Sequence, residues 1–226
     1  MDVVQKSGLV TLSARQHFRY VLKDTTAEKI TPFIEQNFGA GYIDSNDKAT
    51  LDRTIIFDTL ITKEINGGKI KSIFNIGCGF CTRYWRLGLD KTDIVWVDCD
   101  FDNTISTKKK ALELAGINLP STYQVDSRDI SIKGIPKGFD LYIAEGSLMW
   151  IDLEIVQNNI HNKIICDVIG RTNNRSKIKE QKWQFDEELS WQNFNIHSKT
   201  SFDNPGRAGT ILVMSPKETG ENTNAN

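Results

Sequence analysis

The sequence has no apolar run approaching the roughly 20 residues that a bilayer-crossing helix needs, which excludes an ordinary membrane span. It also lacks an excess of charge: the formal net charge is -1. A nucleic-acid surface requires concentrated positive charge. The one basic run, Lys108-Lys109-Lys110, reads instead as a solvated helix face. Cysteines are few, 4 in 226 residues, and their spacing is not that of a disulfide framework. Cys78 and Cys81 form a Cys-x-x-Cys pair without the second pair of a zinc ribbon, so no metal is expected. Met1 to Lys6 lacks the charged, apolar and cleavage regions of a secretory signal. Free thiols and cytoplasmic residence are the expectation. Histidine is scarce too, and none of His17, His161 and His197 identifies itself as a general base.

What the sequence has is a change of rhythm. Residues 11–36 suit one or two helices, with Phe18, Val21, Leu22, Ile30 and Ile34 as apolar positions. A polar loop and a second helix over 51–64 follow, and Asn66-Gly67-Gly68 stops that helix. From residue 70 onward, short apolar stretches alternate with helical ones. Strands are predicted at 70–76, 93–98, 122–125, 139–144 and 163–168, with helices between them. Such alternation calls for a mostly parallel sheet covered on both faces. A short helix near 186–189 and two late strands, 191–198 and 210–214, suggest a hairpin-like close to the sheet. Residues 1–216 are expected to form a single domain, with N-terminal helices at about 11–65. The polar tail 217–226 is expected to be disordered.

The most informative segment is Asn75-Ile76-Gly77-Cys78-Gly79-Phe80-Cys81-Thr82-Arg83, directly after apolar Ile73-Phe74. Two glycines one residue apart, between a strand and a helix, let a nucleotide lie against backbone. Asp100 follows about 20 residues later, at the end of the next strand, where an acid can accept both ribose hydroxyls of an adenosine. The dinucleotide pattern wants a third glycine where Thr82 stands. Arg83 suits a carboxylate-bearing cofactor, because a guanidinium can clamp a carboxylate through two parallel bonds. Arginine also pairs with pyrophosphate, so the loop alone leaves both kinds of nucleotide open.

Three stretches taken in order, Phe74 to Arg83, Trp96 to Phe101 and Ala144-Glu145-Gly146-Ser147-Leu148-Met149-Trp150-Ile151, resemble successive motifs of one family. It is the class I S-adenosylmethionine-dependent methyltransferases of the leucine carboxyl methyltransferase type, which include the polyketide carboxylic-acid O-methyltransferases. The similarity runs from about Arg53 to Trp191. It implies a Rossmann-like, mostly parallel seven-stranded sheet with its last strand antiparallel and an N-terminal helical cap. It also implies S-adenosyl-L-methionine as cofactor, with S-adenosyl-L-homocysteine as product. By resemblance, Gly77, Cys78 and Gly79 face the cofactor, with Phe101 beside it, and Arg83 binds the methionine carboxylate. Asp100 holds the ribose, Ser127-Arg128-Asp129 meets the adenine, Glu145 lies near the methionine amine, and Arg53 reaches the carboxylate region. The chain departs from the family at Cys81, where Asp is usual, and at Trp150, where Tyr is usual.

Methyl transfer from a sulfonium is an in-line displacement that needs alignment and exclusion of water. The resemblance implies a carboxylate acceptor, free, carrier-bound or a protein terminus; the lean N-terminal region and the absence of a long insert after the fourth strand favour a small molecule. A carboxylate is already ionised near neutral pH and needs no base, whereas a phenol usually does. Candidate substrate contacts are Arg19, Tyr20 and Tyr42 from the N-terminal segment, Trp150, and Arg171 after the fifth strand. Methylation of a phenol or other hydroxyl is the first alternative. An inactive cofactor-binding regulatory or scaffold protein is the second, and an NAD-dependent oxidoreductase fits less well.

Overall fold

A computed structural model describes residues 3–38, 48–169, 193–204 and 207–217. The predicted loop around Tyr42, the segment holding Arg171 and the helix near 186–189, and residues 218–226 of the tail lie outside the described residues.

Seven strands form one sheet: β1 (Ser72–Ile76), β2 (Val95–Asp100), β3 (Tyr123–Ser127), β4 (Leu141–Ala144), β5 (Lys163–Ile169), β6 (Phe194–Asn204) and β7 (Arg207–Pro216). Their spatial order is β3-β2-β1-β4-β5-β7-β6. The pairs among β1 to β5 are all parallel, and β7 runs antiparallel to both β5 and β6. The strand order therefore reverses between β1 and β4, which opens a crevice beyond their carboxyl ends. The expected hairpin-like close is present, with longer strands than the apolar pattern indicated, because edge pairing continues through polar residues.

Helices cover both faces. Ahead of the sheet come α1 (Val3–His17), α2 (Arg19–Leu22), α3 (Thr25–Phe38) and α4 (Lys48–Asn66). The crossovers carry α5 (Arg83–Arg86), α6 (Asp102–Leu114), α7 (Ile130–Lys133) and α8 (Leu153–Asn159). Alternate residues of each strand feed opposite cores. Ile73, Trp96, Leu141 and Ile143 pack with Leu12, Ile30, Phe57 and Ile61 of the N-terminal helices. Phe74, Ile76, Val97, Tyr142 and Ala144 pack with Val156, Ile164 and Leu212 on the other face. Each such side chain taken from water contributes about 1.5–3 kcal/mol, so the N-terminal helices are built into the core.

Helix α1 begins earlier than the sequence pattern suggested, and it places Gly8, Thr11 and Arg15 over the crevice. Lys108 is not solvated as expected. It is 1% exposed and donates to Asp98 at 2.6 Å, beneath the glycine turn. The apolar periodicity of α6 gave no sign of it, because the buried Asp98 is a tertiary partner. Among the described residues, no helix is long and apolar enough to cross a membrane.

Candidate active site

The ends of β1, β2 and β4 floor a cleft, and α1 roofs it. Beyond β1, Gly77 and Gly79 both take left-handed φ values, +60° and +49°. A side chain at 77 would also collide, with its Cβ 2.5 Å from Cβ of Ser147. Ser147 is fixed there by donating to the Ile76 carbonyl at 2.8 Å. A Cβ on Gly79 would touch the Gly8 Cα of α1 at 3.4 Å. This wall of the cleft is consequently backbone, as a closely bound nucleoside requires.

Asp100 braces the same turn. One of its oxygens accepts from Gly79 N–H and the other from Phe101 N–H, each at 2.8 Å. Burial pushes the Asp100 carboxyl up, and these two bonds offset that only in part. Asp98, two residues deeper on the same strand, does not line the cleft. It accepts from Asn75, Trp96, Lys108 and Tyr123 at 2.6–2.8 Å. Phe101 lines the cleft beside Asp100, and Arg128 reaches it while donating to Asp126 at 2.7 Å. Ser127 and Asp129 do not line it. Ser127 donates to Asp102 at 2.9 Å, and Asp129 caps α7 by accepting from Ser131 N–H at 2.9 Å. Ile130 and Ser131 occupy the wall in their place.

At the end of β4, Glu145 is surrounded by three guanidiniums. Arg15 and Arg83 donate to one oxygen at 2.9 and 2.6 Å, and Arg53 to the other at 3.2 Å. Burial works to raise the Glu145 pKa, but Arg15, Arg83 and Arg53 outweigh it and hold the carboxyl well below the usual range. The network continues outward. Arg83, fully buried, also pairs with Asp58 at 2.6 Å, and Arg53 pairs with Asp167 at 3.3 Å. Arg86 joins Asp58 to Asp24. The sulfur of Cys81, standing where the family's carboxylate is usual, lies 3.5 Å from an Arg83 nitrogen. Among the described residues, no histidine, cysteine and carboxylate cluster could hold a metal.

Arg53, Gly77, Cys78, Gly79, Arg83, Asp100, Phe101, Arg128 and Glu145 are thus brought to one cleft, with Trp150 at its edge. Arg19 and Tyr20 are not. Tyr20 is 81% exposed, and Arg19 lies over its ring at 4.5 Å. Sequence reasoning missed Arg15. The available signal was an arginine one turn beyond Leu12, on a helix face that continues Gly8 and Thr11.

The profile of one family, leucine carboxyl methyltransferase, matches residues 10–162 of the chain, spanning the glycine turn, Asp100 and Glu145. The chain belongs to that family. No curated protein matches its sequence. Among solved structures, magnesium protoporphyrin IX methyltransferase (ChlM) from Synechocystis PCC 6803 with bound SAH is similar at 15% identity and a TM-score of 0.55. The match covers 86% of this chain and 96% of that one. TehB from Haemophilus influenzae is similar at 13% identity and a TM-score of 0.50, over 70% of this chain. The chain spans 61% of TehB's length. At these identities the likeness is one of fold. Family and fold together make this leucine carboxyl methyltransferase family member an S-adenosylmethionine-dependent O-methyltransferase. The backbone wall at Gly77 and Gly79 and the carboxylates of Asp100 and Glu145 all line this one cleft.

Proposed function

We propose that the enzyme converts the carboxylate of a small-molecule acid into its methyl ester. When bound, S-adenosylmethionine supplies a sulfonium methyl: the acceptor oxygen forms the new O–C bond, the S–C electron pair returns to sulfur, and no proton moves. In this reading the Gly77 and Gly79 backbone lies along the nucleoside and Asp100 accepts from the ribose hydroxyls. Phe101, Arg128, Ile130 and Ser131 wall the adenine, while Ser127 and Asp129 shape the segment that carries them. Glu145 takes the methionine ammonium, and Arg53 takes the methionine carboxylate. Arg83, to which the resemblance gives the methionine carboxylate, is here read differently: paired with Asp58 and Glu145, it holds Glu145 in place.

The carboxylate acceptor rests on one observation: among the described residues, the cleft's lining holds no group suited to removing a proton from a phenol, since the oxygens of Asp100 are taken up by the Gly79 and Phe101 N–H groups. Among the described residues, no histidine, lysine or tyrosine lines it. Glu145 is held ionised by three arginines, which makes it a weak base. The Cys78 thiol is pushed well up by burial and so stays protonated. An acid with a pKa of about 4 needs no help to ionise, while a phenol near 10 does. The acid can be free or carrier-bound. Cytoplasmic residence is part of the same reading and accords with four buried, unpaired thiols.

A screen of labelled methyl transfer to carboxylic acids and their matched hydroxyl analogues, read by mass spectrometry, tests this. Ester formation is the expected result. Transfer confined to hydroxyls would remove the carboxylate assignment and leave the cofactor site standing.

A further inference from the structure

We propose that Arg15 binds the carboxylate of the acceptor, and that the acceptor is an acid whose apolar body rests on Trp150 and Ile151. This rests on the carboxylate-methylating reading above and names the residue and the substrate shape it implies.

The three guanidiniums at Glu145 are not equivalent. Arg83 keeps Asp58, and Arg53 keeps Asp167, whatever happens at Glu145. Arg15 has Glu145 as its one ion-pair partner among the described residues. It is 4% exposed, it lines the cleft, and its buried Nε has no hydrogen-bond partner among the described residues. A buried donor left without an acceptor is costly. Arg15 is therefore the guanidinium with unused capacity, and the one left stranded when a ligand ammonium competes for Glu145.

Charge balance points the same way. Among the described residues the connected network sets Arg15, Arg53, Arg83 and Arg86 against Asp24, Asp58, Glu145 and Asp167, and is neutral overall. The amino-acid end of S-adenosylmethionine brings an ammonium, a sulfonium and one carboxylate, a surplus of one positive charge. An acceptor carboxylate beside Arg15 cancels that surplus within the arginine network at Glu145, where unpaired charge is strongly disfavoured, while Asp100 stands outside this network on the N–H groups of the glycine turn. Transfer then converts carboxylate and sulfonium into a neutral ester and a neutral thioether, so the balance holds on the product side as well. The ester no longer pairs with Arg15, which favours its release.

Position favours the acceptor over the cofactor's own carboxylate. Arg15 comes from the roof, on the α1 face that also presents Gly8 and Thr11, whereas Arg53 approaches from α4 with its Nη1 on Asp167 of β5. The roof and the turn after β4 are the walls not claimed by the nucleoside. On that second wall Ile151 is buried and Trp150 half-buried, and both line the cleft. They offer an apolar bed beside one cation, which selects an acid with a hydrophobic body.

The test uses the full chain and a panel of acetate, octanoate, benzoate, phenylacetate and 4-hydroxyphenylacetate. Octanoate or an aryl acid should be preferred to acetate, and 4-hydroxyphenylacetate should yield ester and not ether. With the best acid, Arg15→Gln should raise KM by about tenfold to a hundredfold, the range for losing a hydrogen bond to a charged group. Arg15→Lys should recover part of that loss. Calorimetric affinity of the same acid for the S-adenosylhomocysteine complex should weaken in parallel, while affinity for S-adenosylhomocysteine itself stays within about threefold. Parallel loss of S-adenosylhomocysteine affinity would assign Arg15 to the cofactor carboxylate and overturn the proposal. Unchanged acid affinity in both variants would make Arg15 a pin for α1 and also overturn it. Acetate used as well as the larger acids removes the apolar bed. If no acid is methylated at all, the underlying carboxylate reading falls too, an outcome distinct from an active enzyme indifferent to Arg15.

Discussion

Two buried charge clusters flank the glycine turn, and they are built differently. Beneath the turn, Asp98 receives Lys108, Tyr123, Trp96 and Asn75, four donors for one carboxylate, all from within the sheet and α6. Burial alone would lower the Lys108 pKa, but Asp98 more than reverses this and raises it, while burial and Asp98 together push the Tyr123 phenol well up. All four donors converge on Asp98, and neither Asp98 nor Lys108 lines the cleft. Beside the turn, Glu145 also collects its donors, but Arg15, Arg53, Arg83 and Glu145 itself all line the cleft, and among the described residues the Arg15 Nε has no hydrogen-bond partner. A saturated cluster fixes architecture. A cluster that lines a cavity and keeps an unsatisfied donor is arranged for a ligand.

The largest expected effect tests whether the two clusters share a cost and differ in role. Lys108→Met and Glu145→Ala should each destabilise the protein by about 3–5 kcal/mol in urea unfolding, since each strands buried charge. The folded fraction of Lys108→Met should still bind S-adenosylhomocysteine within about threefold of the parent, whereas Glu145→Ala should lose roughly a hundredfold or more. Loss of binding in Lys108→Met would erase the distinction.

A smaller effect is expected at Asp100, which touches both regions. Asp100→Ala should weaken S-adenosylhomocysteine binding by about tenfold to a hundredfold, from hydrogen bonds to a charged acceptor. Its urea midpoint should move less than that of Glu145→Ala, because two backbone N–H groups near solvent replace a stranded ionic cluster. Unchanged affinity would remove the ribose assignment.

The smallest effect is the pH response. Glu145 and Asp58 have folded-state pKa values below their free ones: burial raises each, but the arginines prevail. Their stabilisation is thus complete above about pH 4.3 and is lost as pH falls through the folded values. Burial raises the pKa of Asp100, so it takes up its proton at a higher pH than Glu145 does. Acidification should therefore weaken S-adenosylhomocysteine binding while circular dichroism still reports a folded chain. Asp100→Asn should flatten that early step. Binding and fold lost together in the parent would contradict the order of protonation.

Much of the site was legible in the sequence because it lies along strand ends. Gly77, Gly79, Asp100 and Glu145 each sit where a predicted strand stops, and a parallel sheet brings such ends together at one edge. Ser127 and Asp129 were legible as position but not as role, since local bonds to Asp102 and Ser131 turn their side chains elsewhere. Lys108 and Arg15 were not legible. Both are charged residues on helices, where solvent exposure is the ordinary state, and only a partner distant in sequence buries them.

By itself the sequence determined the alternation of strand and helix, the glycine turn after the first strand and, by resemblance of motifs, the family to which the chain belongs. The first two follow from local periodicity and from glycines placed where the backbone must turn, whereas the strand order that opens the crevice is read from the structure. Tertiary structure alone decided which charges meet. Arg15 lies 130 residues from Glu145 and Arg53 114 residues from Asp167. Ion pairing at that separation depends on how helices pack over strand ends, where burial strengthens the attraction between charges that would scarcely interact in water.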